Sequence, residues 1–166
     1  MEYKIATKED IATLMNIRLE MLRKVNGIPE DYAFSEELVA SSKRYFQEGN
    51  QTTCIALENG RTIACASMSY IEIMPTFSHP TGKRAHLMNV YTNEDYRRQE
   101  IARKLVWMLV EEAREKGVTE ISLDATDSGR PLYESIGFSA SDECMVMNLK
   151  GFYERAREII SVNSTL

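Results

Sequence analysis

The sequence is poor in the residues that build metal centres and disulfide-bonded scaffolds. It contains 3 cysteines and 2 histidines. Cys54, Cys65 and Cys144 are widely separated, lie in apolar segments and form no CxxC pair, a pattern typical of reduced thiols. The scarcity of both ligand types predicts that the protein holds no metal ion, and the unpaired cysteines predict a cytoplasmic location.

The sequence also lacks a long apolar run and an excess of basic residues. A membrane-spanning helix needs about 18 or more consecutive apolar residues, no such run occurs, and residues 1–10 are too polar for a signal peptide. Acidic residues outnumber basic ones by 25 to 20, for a net charge of −5, whereas nucleic-acid binding favours a basic surface. We therefore expect neither a membrane nor a nucleic acid as partner.

The order of apolar patterns and turn signals predicts a mixed sheet flanked by helices. Two helices come first, and Asn59-Gly60 then joins two strands as a hairpin. A doubly wound parallel sheet fits less well, because parallel strands need crossover connections. The predicted strands are Tyr3–Ala6, Thr52–Leu57, Thr62–Met74, Ala85–Thr92, Val118–Ala125, Phe138 and Glu143–Leu149. The early helices are Thr7–Val25 and Ser35–Gln47, a long central helix follows, and the later helices are Arg130–Ile136 and Gly151–Ile160.

These elements predict the fold class α/β, of the α+β type, in a single domain over residues 1–166. No internal repeat, low-complexity segment or domain linker interrupts the sequence. The last predicted helix covers about residues 151–160, and residues 161–166 form a loose tail.

The segment Asn89–Val110 joins a strand end to a long amphipathic helix through an arginine-rich turn. Arg97, Arg98 and Gln99 stand where that helix begins, and the first turn of a helix has unpaired amides and a partial positive charge. Such a helix start is a natural site for a phosphate group. Arginines in this position more often form only a solvated surface, so both interpretations stay open on physical grounds.

The residue order around this helix start resembles a known signature. Tyr96–Ala102 is similar to the acetyl-CoA motif Arg/Gln-x-x-Gly-x-Gly/Ala of the Gcn5-related N-acetyltransferase (GNAT) family, with Arg97 first and Ala102 last. Glu100 stands in place of the middle glycine, which brings a negative charge beside the expected anion. A second segment, Ile121–Phe138, resembles a later GNAT segment. The shared residues there are Leu132-Tyr133-Glu134 and Gly137-Phe138, and on both matches the chain is identified as a member of the family.

The resemblance implies a mostly antiparallel sheet in which a central pair of strands splays apart and acetyl-CoA lies in the gap. Main-chain groups of Val90, Tyr91 and Thr92 would then pair with the pantetheine arm like an added strand. The side chains of Arg97 and Arg98 would bind the pyrophosphate. Thr126 stands where many members have an asparagine that contacts the cofactor. The pyrophosphate would also accept hydrogen bonds from the amides of Arg98, Gln99, Glu100, Ile101, Ala102 and Arg103.

The resemblance also implies catalytic residues. Tyr133 stands where members often place a tyrosine near the thioester, and its phenol would protonate the departing thiolate of CoA; the alternative is that it only packs under its helix. His86 stands where members often have a glutamate, and an imidazole suits a general base that takes the amine proton. A purely hydrogen-bonded strand histidine is an equal alternative. Glu72 is a second candidate base, predicted on the same face of the cleft, although a solvated carboxylate is favoured there.

The resulting prediction is an N-acetyltransferase that moves an acetyl group from acetyl-CoA to a primary amine by direct attack in a ternary complex. The acceptor would be a small molecule or a peptide amine, and no residue cluster selects among them. One alternative is a catalytically silent acyl-CoA-binding module, which Glu100 favours, and another is a structural subunit that has lost the cofactor site. A homodimer through Trp107 or the last helix is a further expectation from the family.

Overall fold

The computed structural model describes residues 1–142 and 144–149. Internal contacts group the chain into two compact units, Met1–Leu132 and Tyr133–Leu166. The helix predicted over residues 151–160 and the tail after it lie outside the described residues, and the prediction of one domain over residues 1–166 stays a prediction.

The first unit contains five strands and three complete helices, and a fourth helix begins near its end. The strands are β1 (Glu2–Ile5), β2 (Gln51–Glu58), β3 (Arg61–Glu72), β4 (Lys83–Thr92) and β5 (Glu120–Leu123). The helices are α1 (Ile11–Asn26), α2 (Glu36–Glu48), α3 (Ile101–Glu115) and α4 (Arg130–Ile136), with short 3₁₀ turns at Lys8–Asp10 and Glu94–Tyr96. None of the helices in the described part of the chain combines the length and apolarity needed to cross a bilayer.

Local signals place several element ends where the sequence predicts them. The Thr7 amide donates to Asp10 Oδ2 at 2.9 Å, which completes a capping box at the 3₁₀ turn before α1. Gly27 ends α1 in the left-handed conformation, with φ of 62°. Asn59 and Gly60 both have positive φ between β2 and β3, as a two-residue hairpin turn requires.

The sheet has the order β1-β2-β3-β4-β5, with antiparallel neighbours except for the parallel pair β4 and β5. Helices α1 and α2 cover one face, where Leu14, Ile17 and Phe46 pack with Ile55 and Cys65 of the strands. Helix α3 covers the other face through five buried residues. They are Ile101, Leu105, Val106, Leu109 and Ala113. The mixed, mostly antiparallel sheet predicted from the sequence is therefore confirmed.

Strands β4 and β5 separate part-way along their length. They pair only where Arg84–Leu87 faces Glu120–Leu123, whereas β4 continues to Thr92. On its other side β4 carries one extra residue, because Ser67 pairs with Met88 while Cys65 pairs with Tyr91. This bulge turns β4 away from β5. Within the described part of the chain, residues 88–92 of β4 have no strand partner on the β5 side, and the predicted splayed pair is present.

The strands predicted at Phe138 and Glu143–Leu149 do not form within the described residues of this stretch, which have no regular strand structure. Met145, Val146 and Met147 are exposed there. An apolar composition favours a strand, but a strand also needs a neighbouring strand with which its backbone can form hydrogen bonds. The prediction of these last strands is therefore wrong.

Candidate active site

The bulge in β4 is fixed by the side chain of Asn89. Its φ of 54° is left-handed, a conformation that asparagine tolerates better than most residues. Arg18 of α1 donates to Asn89 Oδ1 at 3.2 Å, and Asn89 Nδ2 donates to Ser67 Oγ at 3.2 Å. These contacts tie the bulge to both α1 and β3. Neither Arg18 nor Asn89 is among the site residues predicted from the sequence. The sequence signal that could have identified Asn89 is its position inside an apolar strand pattern, where asparagine is disfavoured.

The three residues after the bulge present their main chain along the splayed edge. The side chain of Tyr91 is buried and its hydroxyl donates to Glu20 Oε1 at 2.8 Å; burial, together with Glu20, raises the pKa of this phenol. The Thr92 carbonyl accepts a hydrogen bond from Arg97 Nε at 3.2 Å. Tyr91 therefore anchors the strand to α1. The Thr92 carbonyl, which is predicted to contact the pantetheine arm, already accepts one hydrogen bond, from Arg97.

The start of α3 presents a run of unpaired amides. Within the described residues, the amides of residues 98 to 102 have no acceptor, and the first amide bond to a preceding carbonyl joins Lys104 to Glu100 at 3.0 Å. Arg98 and Glu100 both have φ of 60°, and alternation of left-handed and ordinary residues turns successive amides into a concave anion site. The helix start therefore presents several amide donors without acceptors among the described residues, and the pyrophosphate site expected from the signature stays a prediction.

The arginines around this helix start differ in their partners. Arg97 lies 3.7 Å from Glu94 Oε1, and Arg103 Nε lies 2.6 Å from Glu100 Oε2. Arg98 is exposed and has no ion-pair partner in the described part of the chain. Glu100 thus forms an ion pair with Arg103 at the helix start.

Replacing Glu100 by glycine is expected to tighten acetyl-CoA binding by about tenfold, which corresponds to roughly 1.4 kcal/mol. The substitution removes a carboxylate from the start of α3, together with its ion pair to Arg103. It should also raise the free energy of unfolding by about 0.5 kcal/mol, because left-handed strain of roughly 1–2 kcal/mol exceeds the entropic cost of glycine, roughly 0.5–1 kcal/mol. Isothermal titration and urea unfolding measure the two effects.

The variant Glu100→Gln separates the charge from the backbone. It keeps the side chain and the left-handed strain, so we expect it to tighten acetyl-CoA binding without raising stability. An unchanged dissociation constant in both variants would show that Glu100 lies outside the anion site.

His86 lies on the face of the sheet that α1 and α2 cover. Its strand partner is Ser69, whose Oγ lies 2.6 Å from the Tyr45 hydroxyl of α2. The imidazole Nδ1 lies 2.9 Å from Ser122 Oγ and Nε2 lies 3.7 Å from Asp124 Oδ2. A ring held in this way by a hydroxyl and a nearby carboxylate has a fixed orientation and can accept a proton.

Glu72 does not share that face. Tyr70 donates to Glu112 Oε2 of α3 at 3.0 Å, and residues two apart in a strand point to the same side, so Glu72 lies on the α3 side. It lines an open cavity there with Lys83 and Lys116. The prediction that Glu72 shares the cleft face with His86 is therefore wrong, because strand alternation relative to the helices is set by the register of the sheet.

Thr126 belongs to the first compact unit and Tyr133 to the second. Thr126 Oγ1 accepts from the Gly129 amide at 3.2 Å, so its hydroxyl supports the turn before α4. In the second unit, the ring of Tyr133 meets Phe138 edge-to-face at 6.0 Å. Burial raises the pKa of the Tyr133 phenol, and its hydroxyl has no hydrogen-bond partner within the described residues. It therefore stays protonated at neutral pH.

Comparison with known proteins connects this geometry to relatives. A predicted acetyltransferase from Clostridium acetobutylicum, whose crystal structure contains acetyl-CoA, is 32% identical over 90% of this chain and 97% of that chain, with a TM-score of 0.78. A GCN5-related N-acetyltransferase from Ralstonia eutropha JMP134 shares the fold, with 23% identity, coverage of 89% and 98%, and a TM-score of 0.70.

A glucosamine 6-phosphate N-acetyltransferase from Trypanosoma brucei brucei is 30% identical over 90 residues. These residues are 54% of this chain and only 59% of that relative. The profile of the Acetyltransferase (GNAT) family matches residues 13–138. This match covers most of the chain, and together with the near full-length Clostridium relative it shows that the chain belongs to the GNAT family of acetyltransferases, the family and enzyme class predicted from its sequence.

Proposed function

We propose that the protein transfers an acetyl group from acetyl-CoA to the primary amine of a small molecule or peptide. The observation that carries this proposal is that two consecutive backbone segments have hydrogen-bonding groups without partners among the described residues. Among the residues that the structure describes, residues 88–92 of β4 have no strand partner on the β5 side, and the amides of residues 98 to 102 at the start of α3 have no acceptor. The first segment suits an extended amide-containing chain, and the second suits a diphosphate.

In the proposed binding mode, the pantetheine arm lies along Val90 and Tyr91, and the pyrophosphate lies on the amides from Arg98 to Arg103. The exposed Arg98 side chain adds a charge-assisted hydrogen bond to the phosphate. Arg97 contributes through its charge while it holds the Thr92 carbonyl. The crystal structure of the Clostridium relative contains acetyl-CoA, which supports acetyl-CoA as the acyl donor.

The proposed chemistry is direct transfer. The amine nitrogen attacks the thioester carbonyl carbon, and the main-chain N–H near Val90 stabilises the developing negative charge on the oxygen. His86 takes the amine proton, directly or through a water molecule. The carbon–sulfur bond then breaks, and the CoA thiolate receives the proton of the Tyr133 hydroxyl. Partial burial raises the pKa of this phenol, so it is protonated at neutral pH before the transfer.

Isothermal titration with acetyl-CoA and with free CoA, followed by an acceptor screen for thiol release, tests this proposal. We expect micromolar binding of acetyl-CoA and turnover with at least one primary amine. Binding without turnover on any amine would support the alternative of a silent acyl-CoA-binding module. An absence of binding by both nucleotides would contradict the donor site itself.

We also propose that the protein forms a homodimer. Trp107 is 44% exposed on α3, so its indole is accessible within the described structure for contact with a second copy. Sedimentation equilibrium of Trp107→Ala beside the unmodified protein tests whether that residue supports a homodimer.

A further inference from the structure

A cavity of about 290 Å³ lies between α1, α2 and the bulge of β4. Tyr45, Phe46 and Met88 provide apolar walls, and Arg18, Ser42 and Asn89 provide polar groups. Its volume is at the lower end of the range of about 300–1,000 Å³ that is typical of small-molecule sites. The cavity is therefore suited to a small molecule with an apolar part and a polar group.

Arg18 is the charged residue of this cavity. It is half-buried, and burial lowers the pKa of its guanidinium. One terminal nitrogen donates to Asn89 Oδ1 at 3.2 Å and lies 4.0 Å from Met21 Sδ. In the described part of the chain no carboxylate lies within ion-pair distance of Arg18, whereas the comparably exposed Arg84 pairs closely with Glu120. A guanidinium has five donors, so most of those of Arg18 remain for an anion.

The cavity adjoins the residues of the proposed reaction. Met88 and Asn89 directly precede Val90, whose amide stabilises the oxygen in the proposed mechanism. Met88 also lies two residues from His86 in β4, so both side chains lie on the same face of the sheet. The Tyr45 hydroxyl donates to Met88 Sδ at 3.5 Å, which places the α2 wall of the cavity beside this strand. A molecule in the cavity therefore lies beside both the thioester position and the candidate base.

We infer that this cavity binds the acceptor and that Arg18 pairs with an anionic group on it. The acceptor is then a small primary amine that also carries a carboxylate or a phosphate. This inference rests on the proposed function and narrows it. It excludes polyamines and simple alkylamines as preferred acceptors, because they would leave the half-buried guanidinium of Arg18 without a counterion.

Matched pairs of amines test the inference. L-leucine is compared with 3-methylbutylamine, which lacks only the carboxylate, and glucosamine 6-phosphate is compared with glucosamine, which lacks only the phosphate. Each amine is titrated into the complex with free CoA, and acetyl transfer is followed by thiol release. The proteins compared are the unmodified chain, Arg18→Gln, Arg18→Lys and the control Lys43→Gln, which removes an exposed cation from α2 outside the cavity.

We expect the anionic member of at least one pair to bind and to react with a kcat/KM at least tenfold above that of its neutral partner. The pair that shows this difference identifies whether Arg18 recognises a carboxylate or a phosphate. Loss of one charge-assisted hydrogen bond in Arg18→Gln should lower that kcat/KM by about 10- to 100-fold, mainly through KM. Arg18→Lys should restore part of the preference, and Lys43→Gln should retain it. Acetyl-CoA affinity and thermal unfolding check that Arg18→Gln keeps the fold.

Several outcomes overturn the inference. Equal binding of neutral and anionic partners, no binding by any anionic amine, or an unchanged preference in Arg18→Gln would each show that Arg18 does not select the acceptor. Turnover of neutral amines would then leave the proposed acetyl transfer intact. Binding of an anionic amine through Arg18 without any turnover would instead support the cavity and contradict the proposed reaction.

Discussion

Replacing Tyr133 by phenylalanine is expected to lower kcat by about 100-fold, the lower range for loss of a general acid, with little change in acetyl-CoA affinity. Phenylalanine preserves the edge-to-face contact with Phe138 and removes only the hydroxyl that protonates the thiolate in the proposed mechanism. Steady-state kinetics with an amine acceptor measures the decrease in kcat, and isothermal titration of acetyl-CoA measures any decrease in affinity. The two together separate a slower reaction from weaker binding.

The pH dependence provides a second measurement for this residue. Burial raises the pKa of the Tyr133 phenol above its ordinary value, which is about 10. The protonated form is therefore retained to higher pH than in an exposed tyrosine, and kcat of the unmodified protein should decline only above about pH 10. This alkaline decline should be absent from Tyr133→Phe.

Tyr32→Phe is the matched control for this substitution. Tyr32 also meets a phenylalanine edge-to-face, with Phe34 at 5.5 Å, but it is 51% exposed and lies before α2. Its replacement should leave kcat unchanged. Full turnover by Tyr133→Phe would assign Tyr133 a packing role only, with no consequence for the fold or the family.

His86→Gln is expected to lower kcat by about 100-fold near neutral pH, because glutamine retains a hydrogen bond to Ser122 but cannot carry a proton away. The loss should shrink as the pH approaches the pKa of the acceptor amine, since a larger fraction of the amine then attacks without help from a base. A profile of kcat/KM from roughly pH 6 to the ordinary range of an alkyl amine, roughly pH 10, measures this change.

The chain provides a closely matched control in His79. Its Nδ1 lies 3.0 Å from Thr119 Oγ1 and its Nε2 lies 3.4 Å from Glu120 Oε2, so it resembles His86 in having a hydroxyl and a carboxylate neighbour. It lies in the loop before β4, away from the bulge. His79→Gln should keep full activity, and equal effects of the two substitutions would indicate a structural role for both histidines.

Short-range signals were sufficient for much of the fold. The capping box of Thr7 and Asp10, the Asn59-Gly60 turn and the apolar stripe of α3 each depend on residues a few positions apart, and each element forms where it is predicted. The amides at the start of α3 that have no acceptor within the described residues belong to the same group, because they follow from the helix start itself. Glu100 even adopts the left-handed conformation that the signature reserves for glycine.

Features that depend on partners distant in sequence were not predictable in the same way. The bulge at Asn89 arises from the offset between β3 and β4, and its anchor is Arg18, 71 residues earlier. Glu72 was predicted on the wrong face, because the side to which an alternating residue points depends on the register. The strand expected over residues 143–149 needed a neighbouring strand that its own sequence does not specify.

The amino-acid sequence by itself determined the family and the order of most helices and strands, and it placed a helix start with unpaired amides after Arg97, since these follow from local periodicity, capping and a contiguous motif. The tertiary structure decided where β4 leaves β5 and that His86 lies on the sheet face covered by α1 and α2. It also decided that Arg18 lines a cavity and has no carboxylate partner among the described residues. Those properties depend on sheet register and helix packing, which bring together residues that no local pattern connects.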